Sequence, residues 1–347
     1  MERFVVGTGR CGSTLLSRML DCHPDGLVLS EFLGALDRLN FFNPGIVSSD
    51  ELKRILCANN VFIDIVNARG KIDKTQLLDA FNPLEQSVPC LLVSAMPFLS
   101  DKPDELFAEV LAAVDRYPDQ PLSAHYLQLF AWLQKRFGKS FWIERTGAAL
   151  EYMPQLHRFF PKSNYVHIHR DGPETVISMM NHGYFSALIS FFTKQATREE
   201  LEQTEFGGMP ITPDDPISQR MYAHPPSYEQ FAAYWNYQLL LGYRTFARLD
   251  ASQYLEIRYE DLLAEPNAVI TRIAEFFELP ESPGWIDKAA AVIDAKEITS
   301  AIGRLPEDDQ AVLREACMPG QILTDRYQHP WVLPTMALMR EFCDRRQ

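Results

Sequence analysis

Residues 7–16 read Gly-Thr-Gly-Arg-Cys-Gly-Ser-Thr-Leu-Leu. They follow the apolar run Phe4-Val5-Val6. They precede Leu15, Leu16, Met19 and Leu20, spaced as one face of a helix that ends before Pro24. A glycine-rich turn between a strand and a helix points successive backbone N–H groups inward, and the helix N-terminus adds partial positive charge, so the stretch is built to hold an anion. Gly9 and Gly12 allow the turn. Ser13 and Thr14 add hydroxyl donors, and Arg10 adds a fixed cation. Cys11 stands within the turn, where a helix N-terminus tends to lower a thiol pKa, although packing of a small residue in a tight loop is the better account of it. Enzymes that cleave nucleoside triphosphates place Lys after the second glycine, on the β- and γ-phosphates. Here Ser13 occupies that place, and no clear acidic Mg²⁺ ligand accompanies the loop.

A second unit lies at Tyr165-Val-His-Ile-His-Arg-Asp-Gly-Pro. It predicts a strand ending at His169, with Arg170 at its tip. A helix should then run from Pro173 to about Asn181, with Gly183 as its cap. Ser178 falls two turns into that helix. A strand-end Arg and a helical Ser can converge on an anion at one sheet edge. The plainer alternative is an Asp171 helix cap beside a solvated Arg. His167 and His169 share one face of the strand. They lack an evident third metal ligand, so burial in a sheet accounts for them. His23 follows the first helix and falls at the opposite edge. The aromatic residues Phe191, Phe192, Tyr222, Tyr228, Tyr234, Trp235 and Tyr237 divide between core and an acceptor pocket in a way that spacing does not resolve.

Strands are predicted at Phe4–Val6, Leu27–Ser30, Phe141–Ile143, Tyr165–His169 and Tyr254–Tyr259, with helical patterns between them. The middle, from about 51 to 138, reads as mostly helical. One apolar stripe comprises Leu106, Phe107, Val110, Leu111 and Val114. Another comprises Leu127, Phe130, Leu133 and Phe137, stopped by Gly138. Alternating strands and helices imply a three-layer α/β fold of the P-loop type, with a central mostly parallel sheet and helices on both faces. In such sheets ligands bind at the carboxyl ends of the strands. The 347 residues read as a single domain, with a helical insertion at about 35–140 and a lid-like loop at about 204–226, rich in Gly and Pro. The net charge of −13 argues against a nucleic-acid partner and leaves room for a small anionic ligand. No apolar run reaches the length of a membrane span, and Met1 leads almost directly into the first strand. Six scattered cysteines without a CxxC pair fit a reducing compartment, so the expected location is cytoplasmic.

The glycine loop, the strand–Arg–helix–Ser unit and the stretch IRYEDLLAEP with its helix ending FFELP occur in this order. Together they resemble the sulfotransferase family that uses 3′-phosphoadenosine 5′-phosphosulfate (PAPS), over Phe4–Glu31 and Trp142 to about Pro280. The pattern is nearer the tyrosylprotein and bacterial branches than the cytosolic aryl branch. The resemblance implies transfer of a sulfuryl group from PAPS to an acceptor hydroxyl, small or carrier-bound, with adenosine 3′,5′-bisphosphate leaving and no metal required. It places Gly9, Arg10, Cys11, Gly12, Ser13 and Thr14 on the 5′-phosphosulfate, Arg170 and Ser178 on the 3′-phosphate, and Tyr259 on the adenine. It makes Glu31, at the end of the second strand, the base. Arg145 stands where that branch carries a Lys beside the sulfuryl group, and joins Arg10 in stabilising charge. His125, in the middle region that the resemblance does not cover, is a second base candidate. The rival readings are a kinase or phosphotransferase with a degenerate loop, and a nucleotide-binding protein without turnover.

Overall fold

The computed structural model describes residues 1–36, 40–58, 89–193, 223–294 and 300–325. The described strands are β1 (Arg3–Val6), β2 (Gly26–Ser30), β3 (Ile46–Val47), β4 (Gln120–Pro121), β5 (Phe141–Arg145), β6 (Asn164–His169) and β7 (Tyr254–Arg258). Five of them form one sheet in the order β2-β5-β1-β6-β7. Every neighbouring pair is parallel, with Ser30 opposite Arg145, Val5 opposite Arg145, Val6 opposite His167 and His169 opposite Arg258.

The central strand shows why the sheet sits in the core. Phe4, Val5 and Val6 are all fully buried, as expected of a parallel strand covered on both faces. Successive side chains serve opposite layers. Phe4 and Val6 pack with Leu27, Leu29 and Trp142, whereas Val5 packs with Val28, Ile143 and Ile168. The strands are short and mutually in register, so the positions after Val6, Ser30, Arg145, His169 and Arg258 all emerge at one edge. Strand order reverses at β1, which opens a crevice between the connections on its two sides.

Helix α1 (Ser13–Leu20) forms as its apolar spacing predicts. After β6, the helix Gly172–Met180 ends on Asn181, whose N–H bonds to the Ile177 carbonyl. Gly183 is therefore not its cap, and it opens a second helix, Gly183–Phe192. The chain bends at His182, whose N–H closes on the Met179 carbonyl at 2.9 Å.

The middle region carries helices Ser49–Leu56, Cys90–Ser94, Pro103–Val114 and Leu122–Arg136, the last closed by Gly138 at φ +65°. Its buried face is Leu122, Tyr126, Leu129, Phe130 and Leu133. Leu127 and Phe137 lie at the margin of that face. The antiparallel pair β3–β4 was not legible in the sequence, because each strand has only two residues. The loop expected at about 204–226 lies outside the described residues except for 223–226. So do Tyr222, the side chains of Phe191 and Phe192, and residues 326–347. No helix among the described residues is long and apolar enough to cross a membrane.

Candidate active site

The turn after β1 is left-handed at Gly9 (φ +77°), Arg10 (φ +55°) and Gly12 (φ +93°). Gly12 needs to be glycine for a second reason, since a methyl group there would run into the Tyr259 ring. Arg10 holds a conformation costing a side-chain-bearing residue about 1–2 kcal/mol, a kind of strain that clusters at functional sites. The Gly9 N–H donates to the Gly147 carbonyl at 2.5 Å, and the Glu31 N–H donates to the Arg145 carbonyl at 2.6 Å. These two bonds tie the turns after β1 and β2 to the end of β5. Gly12 caps α1 without a side-chain bond, and the first turn of α1 contains no acidic residue. Its leading N–H groups are thus available to an anion. The Cys11 thiol points into the core, and burial raises its pKa, which fits packing and not redox chemistry.

Glu31 also has a left-handed backbone, at φ +56°, where β2 turns over the sheet edge. One carboxylate oxygen receives the Arg145 guanidinium, and the other receives the Gly147 N–H at 3.2 Å. The Arg145 side chain is 1% exposed and that of Glu31 is 34% exposed. The buried cation thus has its counter-ion at the rim of the cavity described below, as a buried charge requires. Arg145 also donates to the Ser17 hydroxyl of α1 at 3.3 Å.

Glu144, one residue earlier on β5, faces the opposite layer. Its carboxylate accepts from the Leu33 N–H at 3.1 Å and the Thr146 hydroxyl at 2.6 Å. Complete burial pushes its pKa from 4.5 up to about 8. The native carboxyl therefore stays protonated where the unfolded one ionises. Its contribution to stability is complete below the unfolded pKa of 4.5 and is lost as pH rises to about 8. Glu144→Gln keeps both acceptor contacts and removes the titration. The wild-type melting temperature is expected to fall over that pH window and the variant's to stay flatter. Equal slopes would assign the pH dependence to another group.

At the end of β6, Asp171 caps the following helix by accepting the Glu174 N–H at 3.1 Å. Arg170 is nevertheless not a solvated charge. Its guanidinium lies over the Tyr259 ring, 4.9 Å from the centroid, and 3.4 Å from Glu174. Burial alone would raise the Glu174 pKa. Hydrogen bonds from Ser300, Ala301 and Ile302, with Arg170 nearby, outweigh this and hold it below the usual range. Tyr259 is 3% exposed, packed between the Gly12 turn and Arg170. Arg10 reaches across to the same unit and donates from Nε to the Ser178 hydroxyl at 3.1 Å. Gly12, Tyr259 and Arg170 thus form one run of contacts, and Arg10 links Ser178 to the loop.

Beside the loop lies a cavity of about 210 Å³. Its polar lining includes Arg10, Ser13, Thr14, Glu31, Arg145 and His182. The aromatic rings among its described lining are Phe41, Phe98, Tyr152, Tyr184 and Phe185. Tyr228, Tyr234, Trp235 and Tyr237 are not among the described residues that line it. Trp235 is core, fitted against Gly172 and Gly320. His182 was not foreseen from the sequence. Burial, with Arg10 adding to it, lowers its pKa to about 4, so the ring entering the cavity wall is neutral at pH 7.

His125 does not line the cavity. Its ring is buried, Nε2 meets the Val47 carbonyl at 2.7 Å, and Nδ1 meets the Gln120 amide at 3.2 Å. That location removes it as a base. His23 meets the Pro280 carbonyl, at the opposite sheet edge as expected. His167 and His169 are buried beside Glu256. No group of three or more His, Cys, Asp or Glu side chains among the described residues is arranged to hold a metal.

A profile described as the sulfotransferase family matches residues 3–207 and 216–283. Among solved structures, the chain is similar to a sulfotransferase domain from the curacin biosynthetic pathway, at 13% identity over 94% of this chain and 98% of that one, with a TM-score of 0.42. It is similar to a sulfotransferase from Alicyclobacillus acidocaldarius, at 14% identity over 94% and 95% of the two chains, with a TM-score of 0.43. It is also similar to a Mycobacterium avium sulfotransferase, at 16% identity over 90% and 75%, with a TM-score of 0.42. No curated protein sequence matches it.

Proposed function

The chain belongs to the sulfotransferase family, and from that premise we propose that it moves the sulfuryl group of PAPS to an acceptor hydroxyl by in-line displacement. The observation that carries this reading is the meeting of Arg10, Ser13, Thr14, Glu31 and Arg145 around one cavity, while Arg10 also reaches Ser178. A phosphosulfate at the α1 N-terminus would place its sulfur at that cavity. Its 3′-phosphate would fall to Ser178 and Arg170, and its base would lie near Tyr259.

In this mechanism the acceptor oxygen forms a bond to sulfur as the bond from sulfur to the bridging phosphate oxygen breaks. The electron pair stays with that oxygen, and adenosine 3′,5′-bisphosphate leaves. The acceptor's proton passes to Glu31, which Arg145 and the Gly147 N–H aim. The loop N–H groups, Arg10, Ser13 and Thr14 offset the charge that grows on the leaving oxygen, and in a site shielded from water such donors are strongly stabilising. Fixed cations and backbone donors do this work, so the step needs no metal.

Incubation with PAPS and a panel of alcohols in EDTA is expected to release adenosine 3′,5′-bisphosphate and a sulfated product in equal amounts. Turnover of ATP that depends on Mg²⁺, without turnover of PAPS, would favour a phosphotransferase instead.

A further inference from the structure

We propose that the acceptor is a small, uncharged aromatic alcohol of one or two fused rings; this rests on the sulfuryl-transfer reading and specifies its second substrate. The charged side chains among the described lining of the cavity are Arg10, Glu31 and Arg145, and the last two are paired with each other. Beyond them the described wall carries five rings, Phe41, Phe98, Tyr152, Tyr184 and Phe185, beside the polar Ser13, Thr14, Thr146 and His182, and four of the rings form edge-to-face pairs. Phe41 meets Tyr152 at 5.2 Å and Tyr184 meets Phe185 at 5.4 Å, centroid to centroid. Such an arrangement presents ring edges and faces to a guest ring. The Ser94 hydroxyl, also in the wall, donates back to the Cys90 carbonyl at 2.6 Å, which occupies its donor within its own helix. A sugar would demand partners for several hydroxyls at once, and the ring faces of Phe41, Phe98 and Phe185 supply none.

An apolar cavity of about 150 Å³ holds benzene; the volume of about 210 Å³ here must also take the transferring sulfuryl group, so it admits one ring, with a second reaching toward Phe98, and not an oligosaccharide. Phe98 lines the cavity yet is 47% exposed. A large ring left half in water at the mouth of an apolar cavity gains burial when an apolar guest arrives. A net charge of −13 disfavours the approach of acidic peptides and polyanionic glycans.

The experiment uses the full chain saturated with adenosine 3′,5′-bisphosphate, titrated by calorimetry with 2-naphthol, N-acetylglucosamine and an acidic tyrosine peptide. Naphthol is expected to bind at least about 30-fold more tightly than either competitor. Phe98→Asp, at a half-exposed position, should weaken naphthol at least about tenfold with bisphosphate affinity within about twofold. Equal or tighter binding of the sugar or the peptide overturns the proposal, as does naphthol binding indifferent to Phe98→Asp. Failure of the bisphosphate itself to bind would instead remove the sulfuryl-transfer reading, and the acceptor assignment with it.

Discussion

Replacing Glu31 by Gln is expected to lower kcat about 10²–10⁴-fold while the affinity for adenosine 3′,5′-bisphosphate stays within about twofold. The acceptor oxygen must shed a proton as it bonds to sulfur, and Glu31 is the carboxylate among the described residues that line the cavity. Its two oxygens are held by different donors, the Arg145 guanidinium and the Gly147 N–H. The group is therefore aimed by fixed neighbours at a rim that remains open to a substrate. Glutamine keeps the shape and can still accept from Arg145, but it cannot take the proton. The same contacts permit a competing account, in which Glu31 only braces β2 against β5. A brace would show the opposite split, with donor affinity falling and kcat surviving at saturating PAPS. In that case His182 becomes the next residue to test, because it lines the same cavity and is neutral at pH 7.

Arg10→Ala is expected to reduce kcat/KM for PAPS by about 10²–10³-fold, with both kcat and KM affected. Arg10 lines the cavity and also bonds Ser178, so it can serve charge at the transferring group and at the distal phosphate together. Its side chain is exposed, and Ala at φ +55° carries the same left-handed cost as Arg. The melting temperature should accordingly shift little. A change below about threefold in kcat/KM would show that Arg10 is a solvated charge beside the loop.

The strand–loop–helix unit after β1 was readable because it depends on local pattern. The glycines of residues 7–12, the apolar strand before them and the amphipathic helix after them specify the loop without reference to the rest of the chain. The parallel-sheet rule then brings Glu31, Arg145 and Arg170 to the same edge, since Glu31 and Arg170 follow the last residue of a short strand and Arg145 is the last residue of another. The cavity wall was not readable in this way. Phe41, Phe98 and Tyr184 come from separate segments, and only tertiary packing brings them together. His182 was hidden by reading Gly183 as a helix cap, when the chain only bends there before the next helix. Glu144 left a usable signal, a carboxylate one residue from the end of an apolar strand. Such a group must be neutral or bonded, and here it is both.

The most direct test of the account compares adenosine 3′,5′-bisphosphate with ADP by calorimetry, in EDTA. The two ligands differ in whether a phosphate sits on the 3′-hydroxyl or on the 5′-phosphate chain. A 3′-phosphate would gain charge-assisted contacts from Arg170 and Ser178, each about 1.5–3 kcal/mol before desolvation. The account predicts that the bisphosphate binds at least about 100-fold more tightly, a difference of about 2.7 kcal/mol. Equal affinity for the two would contradict it.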